Sequence, residues 1–220
     1  MLEADRLFRF FHAGDDETVA LAGVTMHIDA GELVAITGPS GSGKSTLLAC
    51  LAGLDEPDGG SVRIAGLTLT RKTEADRARM RARYLGVLWQ NGNLVDHLRV
   101  RDNVLLAQRL AGAARGERNA RSDALLERLG LADRADAWPS TLSGGEAARA
   151  GLAVALANDP TVLLADEPTG ELDSVTAGDV IALLTEHAAD GHAVVLVTHS
   201  DAITRHADRT IRLRDGQIDP

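Results

Sequence analysis

The stretch Gly38-Pro39-Ser40-Gly41-Ser42-Gly43-Lys44-Ser45-Thr46 fits the pattern G-x-x-x-x-G-K-[ST]. Such a loop suits phosphate chemistry. Its glycines let backbone N–H groups turn inward around anionic oxygens, and a helix starting at its end presents its positive pole. Lys44 is then placed to reach the β- and γ-phosphates of a nucleotide, and the Ser45 hydroxyl to ligate Mg²⁺. The basic inventory sharpens this reading, because Lys44 and Lys72 are the sole lysines among 23 Lys and Arg side chains. A chain that otherwise uses Arg keeps a compact point charge where a phosphate loop needs one.

Two carboxylates, Asp166 and Glu167, follow the apolar run Val162-Leu163-Leu164-Ala165. Ligands of open parallel sheets sit at the carboxyl ends of the strands. Asp166 there suits Mg²⁺, directly or through water, and Glu167 suits polarising an attacking water as a general base. Asp-Glu-Pro also favours a turn or helix start. In Leu142-Ser143-Gly144-Gly145-Glu146, Ser143 and Glu146 have capping-box spacing for a helix over 147–157. The same helix start, with two bare glycines, offers backbone donors to an anion, and spacing alone leaves both roles open. A chain with its own phosphate loop has use for a second grip if that grip acts on another subunit's nucleotide. His199 ends a further apolar run, Gln90 follows Gly86-Val87-Leu88-Trp89, and the other six histidines carry no signal.

These residues must be held by a scaffold, and composition bounds it. The 220 residues, 45% hydrophobic and 25% charged, fit one compact globular unit and exclude a disordered chain. The longest apolar runs, at 152–157 and 193–197, fall far short of the roughly 20 residues that span a bilayer. No basic, apolar leader opens the chain. Cys50 is the single cysteine, so no intrachain disulfide forms and a reducing, cytoplasmic setting is expected. A net charge of −9 argues against nucleic acid as a partner. Arg77, Arg79, Arg81 and Arg83, beside Glu74 and Asp76, read as a solvated helix face.

The pattern predicts strands over 19–28 and 31–37 around a turn at Asp29-Ala30-Gly31, a helix from 45 to about 54, and a hairpin of 61–64 with 67–69. Leucines and alanines at helical spacing run from about 100 to 131, interrupted at Gly112 and Gly116. Strands over 162–165 and 193–197 then flank a helix over 174–189. Strand–helix alternation at both ends implies a parallel sheet covered by helices, with the helical middle inserted between two halves of one core.

Taken in order, the phosphate loop, Gln90, Leu142 to Glu146, the 162–167 run, Glu171-Leu172-Asp173 and His199 resemble the nucleotide-binding subunit of ABC transporters over essentially the whole chain. The resemblance implies an α/β fold: a P-loop NTPase (RecA-like) parallel-sheet core with an N-terminal antiparallel β region and an inserted α-helical subdomain. In a single domain over 1–220, the core is expected over about 1–89 and 158–220 and the helical subdomain over about 90–157. It implies an ATPase using ATP and Mg²⁺, in which two copies pair head to tail around two nucleotides. By that resemblance Gly38, Pro39, Ser40, Gly41, Ser42, Gly43, Lys44, Ser45 and Thr46 hold phosphates. Ser143, Gly144 and Gly145, with Glu146 in the same set, face the partner's γ-phosphate. Glu167, His199 and Gln90 are catalytic, Ser45, Gln90 and Asp166 hold the metal, and Asp173 crosses the dimer interface. Phe11 stacks on adenine; Phe10 suits that role equally by chemistry, and one of Phe8, Phe10 and Phe11 is expected in the core.

Gly53-Leu54-Asp55-Glu56-Pro57, Asn103-Val104 and Asp166-Glu167-Pro168-Thr169-Gly170 further resemble the lipoprotein-releasing and macrolide-exporter branch. That implies a separate integral membrane permease as partner, no nucleic acid, and a cytoplasmic protein peripheral on the inner face of the membrane. ATP binding would close the dimer and hydrolysis reopen it to drive transport; the alternative is a mechanical regulator of a cell-wall or cell-division process. The chain departs from the wider family at Glu146, at Ala147 and Ala148 before Arg149, at Val154, and at Trp89 and Asn91-Gly92-Asn93 around the glutamine.

Overall fold

A computed structural model describes residues 1–13, 16–170 and 172–219. Two long strands, β1 (Leu2–Ala13) and β2 (Asp16–Ile28), pair antiparallel, after which the chain crosses into a second sheet as β3 (Leu33–Thr37) and α1 (Lys44–Leu51). It returns to the first sheet with β4 (Gly59–Ile64) and β5 (Leu67–Thr68). Next come α2 (Glu74–Tyr84), β6 (Leu85–Leu88), and the helices α3 (Val100–Leu110), α4 (Arg115–Arg128) and α5 (Gly144–Leu156). The last third runs β7 (Val162–Asp166), α6 (Ser174–Ala189), β8 (Ala193–Val197), α7 (Asp201–Thr204), β9 (Arg209–Arg214) and β10 (Gln217–Ile218). The first sheet has the order β2-β1-β4-β5 and the second β10-β9-β3-β8-β7-β6, parallel from β9 to β6.

The central strands are buried on both faces, so their side chains, alternating with a period of two, divide between two layers. Val34, Ile36, Leu164, Val195 and Val197 pack with Leu47, Leu48 and Leu51 of α1 and with Leu2, Leu7, Leu21 and Ile64 of the antiparallel sheet. Leu33, Leu163, Ala165, Val194 and Leu196 pack with Leu152 and Ala153 of α5, Val180 and Leu184 of α6, and Val104 of α3. Each fully buried Leu or Val contributes about 1.5–3 kcal/mol against exposure. The register places Asp166 opposite Val197 and Ile36 opposite Val197 in turn, so the carboxyl ends of β3, β7 and β8 form one edge. Among the described residues no helix is long and apolar enough to cross a membrane.

The helix over 174–189, the buried strands and the 61–69 hairpin stand where the pattern puts them. Strand β1 belongs to the N-terminal antiparallel region that the family resemblance implies, although the residue pattern does not reveal it. Its register shifts at Ala4/Leu7, Leu7/Phe8 and Arg9/Phe10 break the two-residue alternation, and Arg6 takes a φ of +46° within it. The segments around Asp29-Ala30-Gly31 do not pair with each other; they belong to different sheets. Gly116 lies inside α4 rather than interrupting it.

The three phenylalanines also differ from expectation, because none joins the buried core. Phe8 covers Gly23 and Gly59 and stacks on Phe10, with ring centroids 6.3 Å apart. The arginine face of α2 is only half solvated. Arg77 pairs with Glu56 and Glu74, and Arg81 pairs with Glu74 and donates 2.8 Å to the Gly53 carbonyl, so this side of the helix is tied down. Cys50 is buried in α1, and desolvation pushes its thiol pKa up to about 12.

Candidate functional site

At the edge formed by β3, β7 and β8 the chain between β3 and α1 wraps into a loop whose shape needs its glycines. A Cβ on Gly38 would stand 2.1 Å from the Leu213 carbonyl oxygen, and one on Gly43, at φ +99°, 2.3 Å from that of Ala20. Gly43 opens α1 with no side-chain cap, and no acidic residue lies in the first turn. The first backbone N–H groups of a helix have no intrahelical partner, so this end is left with donors and a positive pole. Lys44 is buried, and its ammonium donates 2.8 Å bonds to the Gly38 and Pro39 carbonyls, which centres the charge over the loop.

Opposite lie the carboxylates. Ser45 Oγ donates to Asp166 Oδ2 at 3.4 Å. Burial pushes the Asp166 carboxyl pKa up, while the Ser45 hydroxyl and the charges of Lys44 and His199 oppose that shift. Glu167 sits at φ +49°, and its N–H donates to the Val197 carbonyl, so it leaves the strand turned toward β8. There Glu167 Oε1 accepts from the His199 backbone N–H at 2.9 Å and Oε2 accepts from Thr198 Oγ1 at 3.1 Å. The His199 imidazole itself is exposed, its Nε2 4.0 Å from Glu167 Oε1.

These groups line one cleft of about 930 Å³ that also contains Phe11, Ser40, Gly41, Thr46 and Gln90. Phe11 stands at its rim, 43% exposed, with the Arg9 guanidinium 4.7 Å above the ring. Arg9 is itself clamped by Asp55 at 2.8 Å and Asp58 at 3.1 Å, and Asp55 is the main cause of its raised pKa. Gln90 is exposed on a loop that two asparagines shape. Asn93 bonds the Trp89 backbone through both its amide N–H and its carbonyl oxygen; buried Asn103 accepts from the Val95 N–H and donates toward the Leu98 and Arg99 carbonyls. This loop lies directly on α5, where a Cβ on Gly151 would stand 2.8 Å from that of Asn93. Ala147 and Ala148 line the cleft from the same helix, so the small side chains there leave room for the loop.

The remaining predicted residues are not brought to this cleft. Ser143 and Gly144 are exposed. Ser143 Oγ accepts from the Glu146 N–H, and Glu146 Oε2 accepts from the Ser143 N–H, a complete capping box, while Glu146 Oε1 takes a 2.8 Å bond from Arg134 Nε. The Glu146 side chain is thus committed to its own helix start, beside Gly144 and Gly145 whose N–H groups face no preceding turn. Asp173 caps α6, accepting from Val175 N–H, Thr176 N–H and Thr176 Oγ1. Glu171 lies outside the described residues. Sequence reasoning missed Arg9, Thr198, Asn93 and the anchoring role of Asp55. Asp55 and Glu56 had been singled out as a motif without a role; in the fold they hold Arg9 and Arg77.

Comparison with known proteins agrees with this geometry. A family model described as ABC transporter matches residues 21–170. The macrolide export ATP-binding/permease protein MacB of Burkholderia thailandensis is 47% identical over 219 residues, which cover 99% of this chain and 33% of that protein. A probable syringafactin export ATP-binding/permease protein, SyfD, of Pseudomonas syringae pv. syringae is 44% identical over 218 residues, again 99% of this chain and 33% of the relative. The chain therefore spans about a third of the length of the curated relatives it matches. Among solved structures, the ATP-binding cassette MJ0796 in a dimeric post-hydrolysis state bound to ADP and Pi superposes with a TM-score of 0.95 at 34% identity, covering 100% of this chain and 97% of that one.

Proposed function

The chain belongs to the ABC transporter family, and from that premise we propose that it is the ATP-binding and ATP-hydrolysing unit that drives a membrane permease. The observation that carries this reading is the convergence of Lys44, Ser45, Asp166, Glu167 and His199 on one cleft.

ATP enters with its adenine against Phe11 and its phosphates over the loop from Gly38 to Thr46. A Lys ammonium has three donors; two hold the loop carbonyls and the third is directed to a phosphate oxygen. Ser45 and Asp166 offer hard oxygen donors 3.4 Å apart, a set that would hold Mg²⁺, and Gln90, which lines the same cleft, would add a further oxygen donor. When bound, Mg²⁺ neutralises charge on the β- and γ-phosphates. Glu167 is held by Thr198 and the His199 N–H so that its carboxylate faces the cleft. It takes a proton from water as the water oxygen bonds to the γ-phosphorus and the bond to the ADP oxygen breaks. His199 orients the γ-phosphate from the end of β8.

Ser143, Gly144 and Gly145 act on a second copy's nucleotide. That Ser143 and Gly144 are exposed and outside the lining of their own cleft supports a head-to-tail pair, across which Asp173, the N-cap of α6, reaches the partner. The permease is of the macrolide-exporter and lipoprotein-release type, with this chain on the cytoplasmic face of the membrane; the likeness to MacB over 99% of the chain supports the exporter part of that reading.

Tagged Glu167→Gln protein with Mg-ATP, incubated with detergent-solubilised membranes of the source cell, should capture a multi-span permease identified by mass spectrometry. Lys44→Ala, expected to lose tight ATP binding, should not. Recovery of a permease with a large extracytoplasmic domain and an associated cell-wall enzyme would favour mechanical regulation. Capture of soluble or nucleic-acid-associated proteins alone would overturn the transporter reading.

A further inference from the structure

At the other end of the six-stranded sheet, where β7 and β8 begin, three side chains from two segments of the chain meet. Asp159 lies in the loop after α5, His187 in the last turn of α6, and His192 immediately before β8. One ligand atom from each lies within 4.8 Å of the other two. Asp159 Oδ1 is 3.4 Å from His192 Nε2 and 4.0 Å from His187 Nδ1. We propose that Asp159, His187 and His192 form a binding site for a transition-metal ion of the Zn²⁺ class, which ties the end of α5 to the turn between α6 and β8.

The spacing is the first argument. With Zn–N and Zn–O bonds of about 2.0–2.2 Å, neighbouring ligand atoms of a tetrahedron stand roughly 3.4 Å apart. The Asp159–His192 pair already has that separation, and His187 needs to close by less than its own bond length. The imidazoles stack with centroids 4.2 Å apart and planes 3° from parallel. Binding therefore requires one ring to turn so that the lone pairs converge. His192, with 22% of its side chain exposed against 10% for His187, is the ring free to do so.

The surroundings of the ligands are the second argument. His187 Nε2 lies 3.1 Å from the Pro160 carbonyl oxygen. A carbonyl only accepts, so Nε2 carries the hydrogen and the Nδ1 lone pair faces Asp159 and His192. A histidine fixed by its second nitrogen on a backbone carbonyl is the usual outer support of a metal ligand. Asp159 divides its oxygens in the same sense: Oδ2 faces Arg121 at 3.7 Å and Oδ1 faces the histidines. Its backbone is fixed too, with φ at +52° and its N–H donating to Leu156, while the His192 carbonyl accepts from Gly31.

The donor set defines the ligand. Two imidazoles and one carboxylate suit Zn²⁺, Co²⁺ or Ni²⁺, and not Mg²⁺ or Ca²⁺, which take oxygen cages. Three protein ligands leave a fourth position for water. The site is separate from the nucleotide cleft, which lies at the carboxyl ends of the same strands, and a bound ion would join the loop after α5 to the turn before β8.

Tag-free protein stripped with chelator should take up one Zn²⁺ in a calorimetric titration, and Co²⁺ should produce visible absorption bands of low-symmetry nitrogen–oxygen coordination. Asp159→Asn and His192→Gln, at the less buried positions, should each weaken Zn²⁺ binding by about tenfold or more and abolish the cobalt bands, with circular dichroism unchanged. His199→Ala should leave both signals intact. Absence of Zn²⁺ uptake by the parent protein, or uptake with the same affinity in both variants, would overturn the proposal.

Discussion

Helices α1 and α5 both start on glycines, and they solve the same end problem in opposite ways. The α1 start has no side-chain cap and no acid; its free N–H groups face a cleft, and its one charged residue, Lys44, is buried against the loop's own carbonyls. The α5 start has a full capping box, an acidic side chain paired to Arg134, and exposed residues, Ser143 and Gly144, that do not line that cleft. A site that binds an anion within its own chain dispenses with caps, because the ligand supplies the acceptors. A start that must stay helical while facing solvent supplies an acceptor from Ser143 and keeps only its bare glycines for an outside partner. Two glycine-rich helix starts are therefore not equivalent sites; the neighbouring wall decides whether each is complete.

The contrast can be broken most strongly at Gly43. Its φ of +99° and the 2.3 Å approach to Ala20 leave no space for a methyl group. Gly43→Ala should cost about 2–4 kcal/mol in urea-induced unfolding, from left-handed strain and overpacking together. It should also weaken fluorescent-nucleotide binding; wild-type stability and affinity in this variant would remove the packing argument for the loop. At the other helix the same kind of change should be milder. Ser143→Ala removes the cap and should cost about 1 kcal/mol, a fall of a few degrees in Tm. Nucleotide affinity of the isolated chain should not change, whereas ATP-dependent dimerisation, read by light scattering, should weaken.

The smallest effect concerns charge at that cap. The Ser143 N–H, and after it Arg134, hold the Glu146 carboxyl pKa below its ordinary 4.5. A group depressed in the folded state stabilises the fold above its ordinary pKa and loses that contribution as pH falls through the lower folded value. Glu146→Gln keeps an acceptor for Ser143 but does not titrate. The Tm difference between wild type and Glu146→Gln should thus be small near neutrality and shrink as pH drops below 4.5; a constant difference would mean that Glu146 acts through shape alone.

Much of the cleft was legible because its chemistry is local. The phosphate loop occupies consecutive residues, and the pair Asp166–Glu167 and His199 follow apolar runs whose length and content announce buried parallel strands. The capping box at Ser143 and Glu146 was equally plain from a three-residue spacing. Strand β1 was hidden by its bulges, since one extra residue inverts the alternation that reveals a strand. Arg9 was hidden for a different reason: its partners, Asp55 and Asp58, lie nearly fifty residues away, and they hold it over the Phe11 ring that family resemblance had named. Asp173 was read through family resemblance as an interface residue, and its N-cap bonds to Val175 and Thr176 went unnoticed.

By itself, then, the amino-acid order determined which groups exist, their local geometry within a turn, strand or helix start, and the class of chemistry open to them. Tertiary structure alone decided which of those groups meet. It set Thr198 against Glu167, laid the glutamine loop on Gly151, left Ser143 and Gly144 out of the lining of their own cleft, and brought Asp159 beside His187 and His192. The physical reason is range. Backbone sterics and hydrogen bonds act over a few residues and can be read from spacing, whereas contacts between distant segments follow from how the two buried layers pack around the sheet.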